Sequence, residues 1–216
     1  VGLGNHEFDY GVDQLKTNLE GKSYKVICAN VFEGDKTLFD SDVTFDIGGL
    51  KVAFFGLLTP ETQTKVNPNY VSGLKFTEKE DLYKIAQDEA DKLNKSADIV
   101  IALSHLGVDD ESTGNRSVDV YANTTGIDFI IDGHSHTVME KGPNGEPIQS
   151  TGTAFANIGV IVIDNKTKAI EQNYLLESNI LGQDTTMLDS ASSVMSILEA
   201  ENILSPKVTK AKKKRT

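Results

Sequence analysis

Two segments most restrict what this chain can become: "ADIVIALSHLG" at 97–107 and "GIDFIIDGHSHT" at 126–137. Each is a short, nearly continuous apolar run that breaks directly into a polar loop carrying histidine. A run apolar on both sides needs cover on both faces, which is the condition of a strand inside a parallel sheet. A helical segment near 117–124 lies between them, so the unit reads strand, helix, strand and the fold class is α/β. In such sheets ligands sit beyond the carboxyl ends of the strands, and both histidine loops are at that edge.

The flanking sequence supplies more of the same architecture. "YKVICANVF" (24–32) is expected to be a buried strand, and "VTFDIGGLKVAFFGLL" (43–58) two strands joined at Gly48-Gly49, a dipeptide suited to the positive φ of a tight hairpin. Thr77 and Glu80 have the spacing of a capping box. Leu82, Ile85, Ala86, Ala90 and Leu93 follow at helical intervals, with the helix ending near Ser96. "IGVIVID" and "KAIEQNYLL" should pair across Asn165-Lys166-Thr167. Pro60, Pro68 and "ETQTKVNPNYVSG" (61–73) form either an ordinary connection or a rim loop.

Charge narrows the partners. The net charge is −11, and six of the basic residues stand in the last ten positions, so the remainder is more acidic still. Such a body repels a polyanion, and long nucleic acid is not an expected partner. Cys28 is the single cysteine, which excludes an internal disulfide and a CxxC motif. No apolar run approaches the roughly 20 residues of a membrane span.

All four histidines fall in loops: His6 in "GNHEFD", His105 in "SHLG", His134 and His136 in "GHSH". Imidazole is the commonest metal ligand at neutral pH. If the strand alternation continues past its end, His134 and His136 face one site, and His105 joins them from the neighbouring strand. Asn5 offers a neutral oxygen suited to a divalent ion. Asp9, three residues beyond His6, can fix that ring's tautomer and raise its basicity, which suits protonation of a leaving-group oxygen.

Taken together, "GNHEFDYG", "SHLG" and "GIDFIIDGHSHT" resemble the later motifs of the calcineurin-like metallophosphoesterases, in the 5'-nucleotidase branch. That branch also holds 2',3'-cyclic-nucleotide phosphodiesterases and nucleotide-sugar hydrolases. The likeness runs over about residues 1–165. It implies an αββα sandwich, two packed mixed sheets flanked by helices, with two divalent ions (Mn, Zn, Fe or Co) at the strand ends. It implies that Asn5, His105 and His134 ligate one ion and His136 the other, with His6 and Asp9 catalytic. A water bridging the ions would attack phosphorus, the ions lying about 3.5–4 Å apart.

The family's earlier motifs, an Asp-x-His and a Gly-Asp, have no counterpart before Asn5, where only Val1 to Gly4 stand. Gly34-Asp35 lies on the wrong side of "GNHE". The expectation is therefore a catalytic domain over 1–186, N-terminally incomplete with its first strands missing, then a linker helix over 187–206 toward an absent nucleotide-binding domain. A basic tail without assigned function fills 207–216. The isolated chain should hold at most a partial site and turn over weakly or not at all, the alternative being a noncatalytic metal- or partner-binding fragment. The implied substrate is a small nucleotide and the implied location is the periplasm, cell wall or exterior. An exposed sheet edge would favour a homo-oligomer.

Overall fold

The computed structural model describes residues 1–178; the expected linker helix and basic tail lie outside them. A 3-10 turn at Asn5–Phe8 leads into α1 (Val12–Leu19). β1 (Val31–Glu33) and β2 (Lys36–Thr37) pair antiparallel. β3 (Asp42–Ile47) and β4 (Leu50–Leu58) form the hairpin expected at Gly48-Gly49, whose φ angles are 60° and 86°. After the single turn α2 (Thr62–Lys65), β5 (Leu74–Phe76) joins β1. Then come α3 (Lys79–Leu93), β6 (Ile99–His105), α4 (Ser117–Ala122) and β7 (Phe129–Asp132). β8 (Val138–Met139) and β9 (Ile148–Thr151) precede the antiparallel pair β10 (Asn157–Ile163) and β11 (Ile170–Glu177).

The main sheet has the order β3-β4-β6-β7-β9-β8, with β4, β6, β7 and β9 parallel and an antiparallel strand at each edge. Its two faces separate by strand alternation. Ala53, Phe55, Leu57, Val100, Ala102 and Ile130 meet Leu82, Ala86 and Ala90 of α3 and Val120 of α4. Leu50, Val52, Ile99, Ile101 and Phe129 face the other way, toward Ile161, Ile163 and Ile170 of the small β10–β11 sheet. The fold is thus mixed α/β, sheet against sheet with helices outside, and the two central parallel strands deliver His105 and the "GHSH" loop to one edge. Among the described residues no helix is long and apolar enough to cross a membrane.

Two local expectations are corrected. Residues 24–32 are largely buried at their end but form a ladder only from Val31. Ile27, Cys28 and Ala29 hydrogen-bond three separate segments, through Val1 O, Asp40 O and Gly56 O, so no continuous strand develops. The capping box at Thr77 also fails. Thr77 N bonds Asn30 O instead, the helix starts after Glu78, and Asn115 Oδ1 accepts from Lys79 N at 2.8 Å. Tertiary partners have displaced the local cap.

Cys28 is 1% exposed and burial pushes its thiol up to about 12, so it is a packing group and not a nucleophile. Gly56 lies in the middle of β4 because the backbone crosses it closely: a Cβ there would stand 2.1 Å from Ile27 O. Gly56→Ala is expected to destabilise the fold by about 3 kcal/mol, since a backbone carbonyl cannot swing aside as a side chain can. Urea unfolding measures this directly, and an unchanged midpoint would mean that the crossing is looser than described.

Candidate metal centre

The N-terminal segment is locked before it reaches Asn5. Ile27 N bonds Val1 O, Gly2 bridges Ile27 in parallel, and Gly4 N donates to Glu7 Oε2 at 2.6 Å. Gly4 carries no side chain because a Cβ would meet the His105 ring at 3.0 Å. The 3-10 turn then buries Asn5 and Phe8, the latter packed edge-on against Phe76 at 5.8 Å, while His6 and Asp9 stay exposed. His6 Nδ1 lies 2.9 Å from Asp9 Oδ2, the pairing that the three-residue spacing anticipated.

Asp132, buried at the end of β7, ties the two histidine loops together. Its Oδ1 accepts from Ser104 Oγ at 2.7 Å, Leu106 N at 3.0 Å and Gly107 N at 3.3 Å, all flanking His105. Gly133 lets that ring come close, since a Cβ would sit 3.0 Å from His105 Nδ1. The strand alternation assumed for His134 and His136 does not apply. β7 stops at Asp132, and both histidines take left-handed backbone, with φ of 81° and 56°. His134 turns inward; His136 is exposed and its ring has no hydrogen-bond partner among the described residues.

Asn5, His105 and His134 converge. Asn5 Oδ1 is 3.1 Å from His105 Nε2 and 3.2 Å from His134 Nδ1, and the two rings lie 5.2 Å apart between centroids at 60°. Two donors on one divalent ion with bonds of about 2.1 Å stand about 3.0 Å apart at 90° and about 3.4 Å apart at the tetrahedral angle. Both separations from Asn5 Oδ1 fall between these, as they would for donors to one ion. Among the described residues no group of three His, Cys, Asp or Glu side chains is placed to hold a metal; the convergence includes an amide. Burial, and then the neighbouring His134, lower the His105 pKa to about 4. Its ring is therefore neutral at pH 7 and can offer a lone pair.

Glu61 was not singled out from the sequence as a site residue. Its Oε2 lies 3.1 Å from His134 Nε2, and Ser112 Oγ donates to its Oε1. Burial alone would raise its carboxyl, but the hydrogen bonds from Ser112 and His134 outweigh that and hold it below the usual range. The stretch from 61 onward thus reaches the site through its first residue.

A family profile described as calcineurin-like phosphoesterase matches residues 1–138, and the chain belongs to that family. Membership implies divalent metal ions. The chain is 33% identical over 154 residues to a 5'-nucleotidase of Vibrio cholerae serotype O1, covering 67% of this chain and 28% of that protein. It is 27% identical over 227 residues to the trifunctional nucleotide phosphoesterase protein YfkN of Bacillus subtilis, covering 87% and 15%. The solved structure of the calcineurin-like phosphoesterase YfkN matches in fold with a TM-score of 0.72 at 22% identity, over 92% of this chain and 70% of that one. The chain spans little more than a quarter of the Vibrio enzyme, at 28% of its length.

Proposed function

We propose that the chain is part of a metal-dependent phosphoester hydrolase of the 5'-nucleotidase type, acting on nucleotides. The observation that carries this reading is the approach of Asn5 Oδ1 to His105 Nε2 and His134 Nδ1, with the His6–Asp9 pair in the same turn. Asn5, His105 and His134 would hold one divalent ion, of Mn, Zn, Fe or Co, and His136 would reach toward a second. When bound, such ions polarise a phosphoryl oxygen and supply charge for a displacement at phosphorus. His6, exposed and 2.9 Å from Asp9 Oδ2, would give a proton to a departing oxygen, and Asp9 would keep its ring in one tautomer.

Among the described residues one convergent donor set is present, so one ion per chain is the expected load. Two-ion chemistry needs donors beyond the four named, and the Asp-x-His and Gly-Asp elements of the family are the expected source. The test is hydrolysis of 5'-nucleoside monophosphates, 2',3'-cyclic nucleotides and a nucleotide sugar with Mn2+, using this chain and a version extended by those elements. Turnover by the extended form, strongest on monophosphates, supports the reading. No turnover by either form would contradict it.

The same reading, through the 5'-nucleotidase resemblance, puts the enzyme in the cell envelope or exterior. Self-association belongs to the same reading. β3 ends the six-stranded sheet and shows Phe45 and Ile47 to solvent, an open edge that a second copy would cover. A monomer by light scattering at working concentration would count against it.

A further inference from the structure

We infer that Glu61 is a positioning residue that accepts the Nε2 hydrogen of His134 and so turns the Nδ1 lone pair toward Asn5 Oδ1 and His105 Nε2. The inference rests on the reading that these three atoms hold an ion. An ionised carboxylate can only accept, so the 3.1 Å contact between Glu61 Oε2 and His134 Nε2 requires a hydrogen on that nitrogen. A neutral ring with Nε2–H carries its lone pair on Nδ1, the atom 3.2 Å from Asn5 Oδ1.

Glu61 is itself held. Its other oxygen receives the hydroxyl of Ser112, a residue 5% exposed, and its backbone N–H donates to Thr59 Oγ1 at 3.2 Å. Three segments therefore cooperate: the turn after β4 brings Glu61, the loop after β6 brings Ser112, and the loop after β7 brings His134. Because Glu61 meets the ring on the nitrogen away from Asn5, it acts through His134 and not as a donor to the same ion. A carboxylate so placed also raises the basicity of the ring.

The test uses the whole chain with 15N-labelled histidine. In metal-free protein at neutral pH, two-dimensional 15N–1H correlation should find His134 as the Nε2–H tautomer. Glu61→Ala should lose that bias and bind Mn2+ about 10- to 100-fold more weakly. Glu61→Gln, which keeps an acceptor oxygen, should retain the tautomer and most of the affinity. Ser112→Ala provides a second route if Glu61→Ala does not fold, with a smaller shift in the same direction. An unchanged tautomer in Glu61→Ala, or an Nδ1–H ring in the wild type, overturns the inference, as does lost affinity without a tautomer change. If the wild type binds no Mn2+ but the tautomer shifts as expected, Glu61 does orient His134 and the ion reading is what fails.

Discussion

Asn5→Ala is expected to weaken Mn2+ or Zn2+ binding by roughly 100-fold or more, while the folded chain keeps its circular dichroism. The amide oxygen lies within 3.2 Å of both candidate ring nitrogens, so its removal opens the donor set at its centre. Loss of an outer partner of a metal ligand already costs about 10- to 100-fold, and a direct donor should cost at least the upper end of that range. Asn5→Asp keeps an oxygen at the same reach and should retain binding. The backbone around Asn5 is fixed by Phe8, Val1 and Gly4, none of which the change touches. Calorimetric titration with each variant measures the effect. Equal affinity in wild type and Asn5→Ala would place any ion elsewhere.

The largest stability effect is expected at Asn30, which is fully buried. β3 covers β4 only as far as Phe55, so the last residue of β4 needs a partner on its open side. Asn30 supplies it with a side chain: Nδ2 donates to Leu58 O at 2.7 Å and Oδ1 accepts from Leu58 N at 2.8 Å. On the other side, Leu58 pairs in register with His105. Asn30→Leu fills similar space but leaves a buried N–H and a buried C=O without partners, each costing about 1–3 kcal/mol. The expected loss is about 3–4 kcal/mol, a large part of the roughly 5–15 kcal/mol that holds a typical domain together. Urea denaturation followed by fluorescence or circular dichroism reads it, and a loss below about 1 kcal/mol would contradict the role given to Asn30.

What could be foreseen from sequence divides along a physical line. β6 and β7 were legible because a strand buried on both faces must be apolar along its length, and the polar break then marks its end. Gly48-Gly49 was legible because few other residues accept two successive positive φ angles. The grouping of Asn5, His105 and His134 was what the family resemblance implied; residue type and strand-end position had gathered His105, His134 and His136 with Asn5 as an oxygen donor, and the strand-alternation argument for His134 and His136 was the wrong cause. Left-handed backbone after Asp132 turns one ring inward and leaves the other in solvent.

Glu61, Ser112, Asn30 and the stapling role of Asp132 were not legible. Carboxylates, amides and hydroxyls are ordinary loop residues, and these act through partners 25 to 73 positions away in the chain. The same holds for residues 27–29, whose apolar character reported burial correctly but not the three separate segments that satisfy their backbone. Local pattern registers which residues are buried; it carries no record of which distant group completes their hydrogen bonds.

The central claim is that Asn5, His105 and His134 hold one divalent ion, and crystals of the chain grown with Zn2+ test it most directly through anomalous diffraction at the zinc edge. The account predicts one strong peak bonded to Asn5 Oδ1, His105 Nε2 and His134 Nδ1, with Glu61 still on His134 Nε2. A peak bonded elsewhere, or none at these three atoms under saturating metal, would contradict it.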